Sequence, residues 1–301
     1  MTDPAPASPP SAPSAPSAPS ATGDRVDPLA MYAPGLFAGR VALVTGGGTG
    51  IGRAAALGFA RYGSDVVLAG RSPEPLEATA AAARDLGVQA LAVPTNIRDV
   101  AQVEALRDRA YETFGHVDFL VNNAGGQFPA RPSQITDNGW RSVVDLNLNG
   151  TWNMVSRFMT PMTDAGFGAI VNVIHVYSFD RGAPTFVHSG AARAGVLSMT
   201  RTMAPYLGPH GVTINALAPG VVGTRGMHTN EAENLGLDED GARAIAQTMG
   251  PMGRMARTSE IAAVILFLCS PGGRFINGAD IVADGGELRS NWWSPFALGE
   301  L

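Results

Sequence analysis

Residues 41–52 read VALVTGGGTGIG, and this stretch decides the fold class. An apolar run that is typical of a β-strand leads directly into a glycine-rich turn, and a helix pattern begins at residue 50. The backbone N–H groups of such a turn can approach a pyrophosphate, whose charge the helix N-terminus stabilises. The stretch therefore predicts the first strand–helix unit of a dinucleotide-binding domain. The residues expected to bind the cofactor there are Gly46, Gly48, Thr49, Gly50 and Ile51.

The same alternation of apolar runs and helix patterns continues through the rest of the chain. Strands are predicted at 41–45, 65–70, 89–93, 116–121, 168–174, 211–217 and 279–284. Helices are predicted at 50–62, 75–86, 99–114, 137–164, 189–208 and 258–269. Central runs that are apolar on both faces are typical of a parallel sheet covered by helices. The fold class is therefore α/β: a single doubly wound Rossmann-type domain with a mostly parallel sheet of about seven strands.

Composition excludes several classes of function. The net charge of −5 lacks the basic excess that nucleic-acid binding needs. No apolar run approaches the roughly 18 residues that span a bilayer, so no membrane partner is expected. A single cysteine, Cys269, excludes a disulfide framework, and the absence of lysine excludes lysine-dependent catalysis. No His, Asp or Glu cluster has the spacing of metal ligands, so no metal is expected.

The two ends of the chain have different predicted roles. Residues 1–34 are rich in Pro, Ala and Ser and are predicted to be a disordered tail, while residues 35–301 form the domain. The tail lacks a basic region followed by an apolar one, so cytoplasmic localisation is expected. Residues 223–257 are predicted to be a substrate lid. Methionines suited to an acyl chain occur there: Met227, Met249, Met252 and Met255.

The end of the second strand indicates which cofactor is used. An acidic residue at that edge would bind the ribose 2′-hydroxyl of NAD. Here the strand ends in Gly70, and the next residue is Arg71, whose guanidinium suits a 2′-phosphate. The sequence therefore predicts NADPH.

Four motifs, in order along residues 38–287, resemble the short-chain dehydrogenase/reductase family. They are the turn at 45–52, the run NNAG at 122–125, Asn147 within DLNLNG, and Pro219-Gly220 after the sixth strand. The resemblance implies a homotetramer in which the helices 137–164 and 189–208 pack across subunits. It also implies further cofactor-binding residues, which are Asn96, Ile97, Asn123, Arg193, Gly220 and Val222.

The chain departs from that family at the positions that carry the chemistry. The family has a serine at the end of the fifth strand, whereas in this chain the fifth strand ends in Val173-Ile174-His175. The family's Tyr-x-x-x-Lys on the next helix is matched by Ser189 and Arg193. The usual acid for carbonyl reduction is therefore missing.

Three stretches resemble one branch, the peroxisomal trans-2-enoyl-CoA and 2,4-dienoyl-CoA reductases: TNIRD (95–99), NNAGGQF (122–128) and HSGAARAGV (188–196). This resemblance implies NADPH-dependent reduction of a carbon–carbon double bond conjugated to a thioester. Acyl-CoA is the expected carrier, although the acidic run at 231–240 leaves a carrier protein or a free substrate open. The implied catalytic residues are Tyr177 and Gln127 at the thioester oxygen, Arg193 at the nicotinamide ribose, and Asn147.

Two alternative functions stay open. The first is a carbonyl reductase of the same family, acting on a 3-oxoacyl thioester or a ketone with Tyr177 or His175 as the acid. The second is a nucleotide-binding protein without turnover. Ser189 and His188 are further candidate proton donors.

Overall fold

The computed structural model describes residues 26–179, 182–224, 241 and 251–289. Its centre is one sheet of seven strands, all parallel, in the order β3-β2-β1-β4-β5-β6-β7. The strands are β1 Val41–Thr45, β2 Asp65–Gly70, β3 Ala90–Pro94, β4 Phe119–Asn122, β5 Gly168–Val173, β6 Val212–Pro219 and β7 Asp280–Ala283. The predicted doubly wound α/β fold is confirmed, and the sheet is wholly parallel.

Helices cover both faces of the sheet. The described helices are α1 Gly50–Arg61, α2 Pro73–Arg84, α3 Val100–Phe114, α4 Asp137–Val144, α5 Gly150–Asp164, α6 Val187–Leu207 and α7 Thr258–Cys269. Helices α1, α2 and α7 pack on one face, and α3, α5 and α6 pack on the other. Successive residues of β1 point to opposite faces of the sheet, since Ala42 packs in the core beneath α1, α2 and α7, and Leu43 packs in the core beneath α3, α5 and α6. Strands with two buried faces explain the continuous apolar runs of the sequence.

The order of the strands reverses between β1 and β4. The chain first builds outward from β1 to β3, and then returns to place β4 on the other side of β1. Loops at the carboxyl ends of β1 and β4 therefore leave in opposite directions and open a crevice between them. This crevice is where a ligand is expected in a sheet of this kind.

The predicted single helix at 137–164 is interrupted. Residues Asp145–Asn149 form a π-helical segment between α4 and α5. The side chain of Asn147 competes with the helix backbone for a carbonyl oxygen. Its amide nitrogen donates to the Val143 carbonyl oxygen, four residues earlier, at 2.8 Å and also to the Gly126 carbonyl oxygen at 2.8 Å. A π-bulge of this kind often marks a functional position.

Packing of the chain starts ahead of residue 35, where the tail was predicted to end. A short 3-10 helix at Pro28–Met31 buries Leu29, and Asp27 caps it by accepting from the Leu29 N–H at 3.0 Å. The Tyr32 hydroxyl donates to the Ala263 carbonyl oxygen on α7 at 2.6 Å. The buried Leu29 side chain and the Tyr32 hydroxyl thus hold this segment against the domain, while residues 1–25 lie outside the described part. None of the described helices is long and apolar enough to cross a bilayer.

Candidate active site

Four loops meet at the carboxyl edge of the sheet. They follow β1, β4, β5 and β6, which are neighbours in the sheet, and they begin at Gly46, Asn123, Ile174 and Gly220. Parallel strands place all their carboxyl ends at one edge. The residues that the sequence singled out at 46–51, 123–127, 175–177 and 220–222 are therefore brought to one side of the molecule.

The turn after β1 has a backbone geometry that requires glycine. Gly46 and Gly50 have φ angles of +66° and +54°, a region that residues with a Cβ rarely adopt. A Cβ atom on Gly52 would lie 2.3 Å from the Gly46 carbonyl oxygen. The first turn of α1, with Thr49 as its N-cap and Ile51 within it, therefore lies directly on the loop. This arrangement fits the predicted pyrophosphate cradle.

Asn123 fastens that turn from the neighbouring strand. Its side-chain amide donates to the Thr45 carbonyl oxygen at 2.9 Å. The Thr45 hydroxyl in turn accepts from the backbone N–H groups of Asn123 and Ala124, both at 3.0 Å. The predicted cofactor residue Asn123 therefore holds the shape of the cradle through the ends of β1 and β4.

The residues predicted at the adenosine end lie at the edge of β2 and in the loop after β3. Arg71 is exposed directly after Gly70, the last residue of β2. Asn96 accepts from the Arg98 backbone N–H at 3.3 Å, and its own N–H donates to Gln102 at 2.8 Å. Ile97 is buried in the core, so its side chain packs within the protein and only its backbone is suited to contact a cofactor.

Asn147 and Arg193 lie together beside the loop after β4. A Cβ on Gly125 would be 2.2 Å from the Arg193 Nη2 and 2.6 Å from the Asn147 Oδ1, so only glycine allows this approach. The Asn147 amide clasps Gly126, with its oxygen accepting from the backbone N–H at 3.2 Å. Arg193 donates to the Val173 carbonyl oxygen at the end of β5. Both side chains thus hold the loops that follow β4 and β5.

Tyr177 lies in a short 3-10 turn after β5. Its ring is parallel to that of Phe186 at 6.2 Å, with 7° between the planes, and meets the edge of His175 at 5.1 Å. Its hydroxyl donates to the Glu287 Oε1 at 3.1 Å. Glu287 is a buried residue that follows β7, 110 positions along the chain. The candidate acid therefore has a carboxyl group at its hydroxyl.

Three polar side chains form a connected series next to Tyr177. The His175 Nε2 lies 3.1 Å from the Ser189 Oγ, and the Ser189 hydroxyl donates to the Gln127 Oε1 at 2.7 Å. Ser189 is fully buried. Burial and the nearby positive charge of Arg193 lower the pKa of His175 to about 3, so the ring is neutral at physiological pH. The structure thus joins Gln127, from the loop after β4, to the β5–α6 region.

His188 is separated from this series. Its ring is buried and meets the ring of Phe128 edge-on at 4.5 Å. Burial lowers the pKa of His188 below its usual value. A neutral ring packed on an aromatic neighbour is a poor proton donor. The geometry therefore gives no support to His188 as the acid.

A cavity of about 230 Å³ opens between the segment that follows β6 and the end of β7. Its walls include Met252, Ala256, Asp284 and Glu287. Gly220 borders the same region, because a Cβ there would lie 2.9 Å from the Asp284 Cα. Val222, also a predicted cofactor residue, pairs with Ala256 in an isolated β-bridge. Much of the predicted lid, at 225–240 and 242–250 with Met227 and Met249, lies outside the described residues.

Sequence reasoning missed Glu287. The signal was the run Asp284-Gly-Gly-Glu287, in which Gly285 and Gly286 have φ angles of +63° and +87°. Asp284 accepts from the Gly286 and Leu288 N–H groups at 2.8 and 2.7 Å, which closes a tight turn after β7. The turn directs the Glu287 side chain back to Tyr177. A left-handed glycine pair after an apolar strand is therefore the feature that could have identified it.

Comparison with known proteins gives matches to both reductases and dehydrogenases. The family model described as enoyl-(acyl carrier protein) reductase matches residues 46–287. A probable 2,4-dienoyl-CoA reductase of Bacillus subtilis is 36% identical over 261 residues, covering 85% of this chain and 98% of that protein. A cis-4-hydroxycyclohexanecarboxylate dehydrogenase of Sinomonas cyclohexanicum is 39% identical over 251 residues, covering 83% and 97%. The crystal structure of carveol dehydrogenase from Mycobacterium avium in complex with NAD is 28% identical, with a TM-score of 0.80, covering 85% and 100%.

Proposed function

The chain belongs to the short-chain dehydrogenase/reductase family of nicotinamide-dependent oxidoreductases, and from that premise we propose a specific reaction. The reaction is the NADPH-dependent reduction of the carbon–carbon double bond conjugated to the thioester of an enoyl or dienoyl substrate, with acyl-CoA as the carrier. The probable 2,4-dienoyl-CoA reductase of B. subtilis, to which this chain is similar over 98% of that protein's length, supports this substrate class.

One observation carries the proposal. At the position that matches the family's tyrosine, the Ser189 hydroxyl donates to the Gln127 side chain at 2.7 Å. A hydroxyl bonded in this way, with an alcohol's weak acidity, is a poor proton donor to a carbonyl oxygen. Reduction of a conjugated double bond needs no proton at that place. It needs hydrogen-bond donors for the charge that builds up on the thioester oxygen.

The cradle fits a dinucleotide, and its adenosine end favours the phosphorylated form. Gly46 and Gly50, with positive φ, expose the N-terminus of α1. Gly70 closes β2 without an acidic side chain, and Arg71 next to it is exposed. A guanidinium forms charge-assisted hydrogen bonds to a phosphate. A carboxylate that would select the free ribose hydroxyl is absent from this edge of β2.

The chain's own residues then perform four tasks. When bound, the cofactor supplies a hydride to the β-carbon. In the substrate complex the Tyr177 hydroxyl turns its single proton from Glu287 to the thioester oxygen, and the Gln127 amide donates to the same oxygen as negative charge develops there. Tyr177 then supplies the proton for the α-carbon. Arg193 keeps its positive charge, holds the nicotinamide ribose and stabilises a phenolate nearby.

In the proposed reaction, Glu287 returns a proton to Tyr177. The phenolate that remains after the transfer to the α-carbon must recover a proton that comes from solvent, and Glu287, whose Oε1 lies 3.1 Å from the Tyr177 hydroxyl, can relay it. The adjoining cavity of about 230 Å³ extends from this carboxyl group to Met252, Arg254 and Ala256, which belong to the predicted lid. Asn147 acts differently, because its amide clasps Gly126 and so holds the loop that carries Gln127.

A second candidate function is carbonyl or alcohol chemistry. The S. cyclohexanicum relative is a dehydrogenase of a hydroxylated ring and is 39% identical to this chain. The hydrogen bond between Tyr177 and Glu287 would also serve that reaction, because the carboxylate can accept the Tyr177 proton and the resulting phenolate can accept the proton of the alcohol. The two candidates differ in substrate and share the acid.

The test is cofactor oxidation with three substrates: crotonyl-CoA, a 2,4-dienoyl-CoA and a 3-oxoacyl thioester. We expect turnover with the first two and little with the third. Tyr177→Phe keeps the ring and removes one donor, so turnover of crotonyl-CoA should fall by about 10²–10³ while NADPH affinity stays unchanged. Turnover with the 3-oxoacyl thioester alone would favour the second candidate. Wild-type turnover by Tyr177→Phe would contradict the assignment of the acid.

Two expectations from the sequence stay predictions. One is the homotetramer, formed through the region of α4 and α5 and through α6. The other is cytoplasmic localisation.

A further inference from the structure

The connected series of His175, Ser189 and Gln127 begins at the backbone of Tyr177. It contains a histidine to which the proposed reaction assigns no role. The backbone N–H of Tyr177 donates to the Nδ1 of His175 at 3.1 Å. The Nε2 of the same ring lies 3.1 Å from the Ser189 Oγ, and Ser189 donates to Gln127 at 2.7 Å. His175 therefore contacts the residue that carries one proposed donor, and reaches the other through one hydroxyl.

The direction of every hydrogen bond in the series follows from its first member. A backbone N–H can only donate, so the Nδ1 of His175 accepts and carries no proton. A neutral ring then has its proton on Nε2, and that N–H donates to the Ser189 oxygen. The Ser189 proton is left to point at the Gln127 oxygen. The carbonyl side of the amide is thus occupied, and its N–H side is the end that can donate to a substrate.

The charge state of the ring keeps this direction constant. A protonated ring would carry a proton on Nδ1, which would face the Tyr177 N–H and break that hydrogen bond. Burial and the charge of Arg193 on α6 hold the pKa of His175 to about 3. Among the described residues, the Tyr177 ring and the Ser189 hydroxyl also contact the ring, and Glu287 lies beyond the Tyr177 hydroxyl. The neutral form is therefore the working form.

These contacts assign His175 and Ser189 a role that differs from proton transfer. We propose that His175 is a positioning residue that, through Ser189, orients the Gln127 amide with its N–H groups toward the substrate oxygen. Through the backbone of Tyr177 it also fixes the turn that carries the second donor. The inference rests on the proposed function, since it takes Gln127 and Tyr177 as the donors to that oxygen.

The orientation matters because an amide has two unlike ends. In the opposite orientation the Gln127 carbonyl oxygen would face the developing negative charge, and would repel it where an N–H would stabilise it. Loss of one donor of this kind typically costs about 10²–10³ in turnover. In a variant that lacks the hydrogen bond from Ser189, the Gln127 amide would sample both orientations and lose part of this stabilisation, which is worth about 10²–10³ in turnover. The effect of such a variant on kcat is therefore expected to exceed its effect on KM.

Substitutions at His175 separate orientation from acid chemistry. Glutamine offers one acceptor and one donor, as the neutral ring does, and has no proton to transfer. Phenylalanine keeps an aromatic ring and removes both contacts. We expect His175→Gln to keep kcat for crotonyl-CoA within about fivefold of wild type, and His175→Phe to lower it by about 100-fold with little change in KM. Equal losses in the two variants would overturn the proposal.

Substitutions along the rest of the series complete the test. Ser189→Ala should lower kcat by about tenfold, and Ser189→Thr should restore much of it. Ser198→Ala, which removes an exposed hydroxyl farther along α6, is the matched control. Gln127→Glu should be worse than Gln127→Ala, because a carboxylate would face the enolate oxygen. Wild-type kcat in Ser189→Ala, or a Gln127→Glu variant no worse than Gln127→Ala, would overturn the proposal.

A measurement without substrate separates this inference from the proposed function. In the ¹⁵N-histidine NMR spectrum of the NADPH-bound wild type, the signals lost in His175→Gln should be those of a ring protonated on Nε2. They should stay constant between pH 8 and pH 6. A ring protonated on Nδ1, or one that titrates in this range, would overturn the inference. If the wild type instead reduces only the 3-oxoacyl thioester, the proposed function fails, and the same variants test the series with that substrate.

Discussion

The cradle at 45–52 and the β5–α6 region at 173–193 adjoin each other at one edge of the sheet, and they follow the family pattern to different degrees. The cradle keeps its glycines because the backbone leaves no alternative: Gly46 has a φ of +66°, and a Cβ on Gly52 would meet a carbonyl oxygen at 2.3 Å. In the β5–α6 region, Ser189 and Arg193 stand at the positions of the family's tyrosine and lysine, and Ser189 makes hydrogen-bond contacts with His175 and Gln127. Main-chain geometry therefore constrains residue types more strictly than the hydrogen-bonding partners of an active site do.

The largest effect is expected in the cradle. In Gly52→Ala the new methyl group would overlap the Gly46 backbone, so the turn or the start of α1 must shift. We expect NADPH affinity to fall by more than about 100-fold and the melting temperature to drop, since backbone overlap is among the costlier single changes. Fluorescence titration with NADPH and thermal unfolding measure the two effects.

The matched control for that variant is Gly182→Ala. A Cβ on Gly182 would have no neighbour within 4 Å among the described residues, and its φ is not in the left-handed region. This variant should bind NADPH as the wild type does. If Gly52→Ala also binds NADPH with unchanged affinity, the cradle is not limited by its backbone, and the contrast between the two regions is lost.

The two regions also differ in how far the sequence predicted them. In the cradle, the strand, the turn and α1 all fall within one stretch, so local pattern was sufficient. The contact between Tyr177 and Glu287 joins residues 110 positions apart, and that between Ser189 and Gln127 joins residues 62 apart. Such pairs depend on the packing of separate elements. The local periodicity of a single sequence does not predict contacts between residues so far apart.

The interruption of the predicted helix at 137–164 has a similar cause. The amide of Asn147 makes hydrogen bonds to Gly126, 21 positions earlier, and the chain widens to a π-helical segment around it. The apolar pattern on either side is that of an ordinary helix. Only the contact with the loop after β4 shows why the segment departs from it.

Arg71 gives a smaller effect that sharpens the description of the cradle. Its exposed guanidinium follows a glycine at the end of β2, and a charge-assisted contact of this kind is worth about 1.5–3 kcal/mol. Arg71→Ala should therefore weaken NADPH binding by about 10- to 150-fold and leave NADH binding nearly unchanged. Dissociation constants for both cofactors check this, with Arg109→Ala, which changes an exposed arginine on α3, as the control. Equal losses for both cofactors would contradict a 2′-phosphate contact.

The smallest effect concerns the pH dependence of stability in the β5–α6 region. His175 has a pKa of about 3 in the folded protein and about 6.5 in a model peptide. Between these values the unfolded chain binds a proton that the folded chain does not, so acid favours unfolding. The contribution of His175 to stability is fully present above pH 6.5 and is lost as the pH falls toward 3. Its slope is at most about 1.4 kcal/mol per pH unit.

His175→Gln removes this term while it keeps one donor and one acceptor. The difference in unfolding free energy between wild type and variant should therefore shrink, or turn in favour of the variant, as the pH falls from 7 to 4.5. Urea unfolding at pH 7, 5.5 and 4.5 measures it. His188, whose pKa is also lowered, is present in both proteins and cancels in the difference. A difference that stays constant over this range would mean that the ring titrates in the folded protein as it does in the unfolded chain and becomes charged below about pH 6.5. A charged ring could not accept the Tyr177 N–H on which the orientation of Gln127 depends.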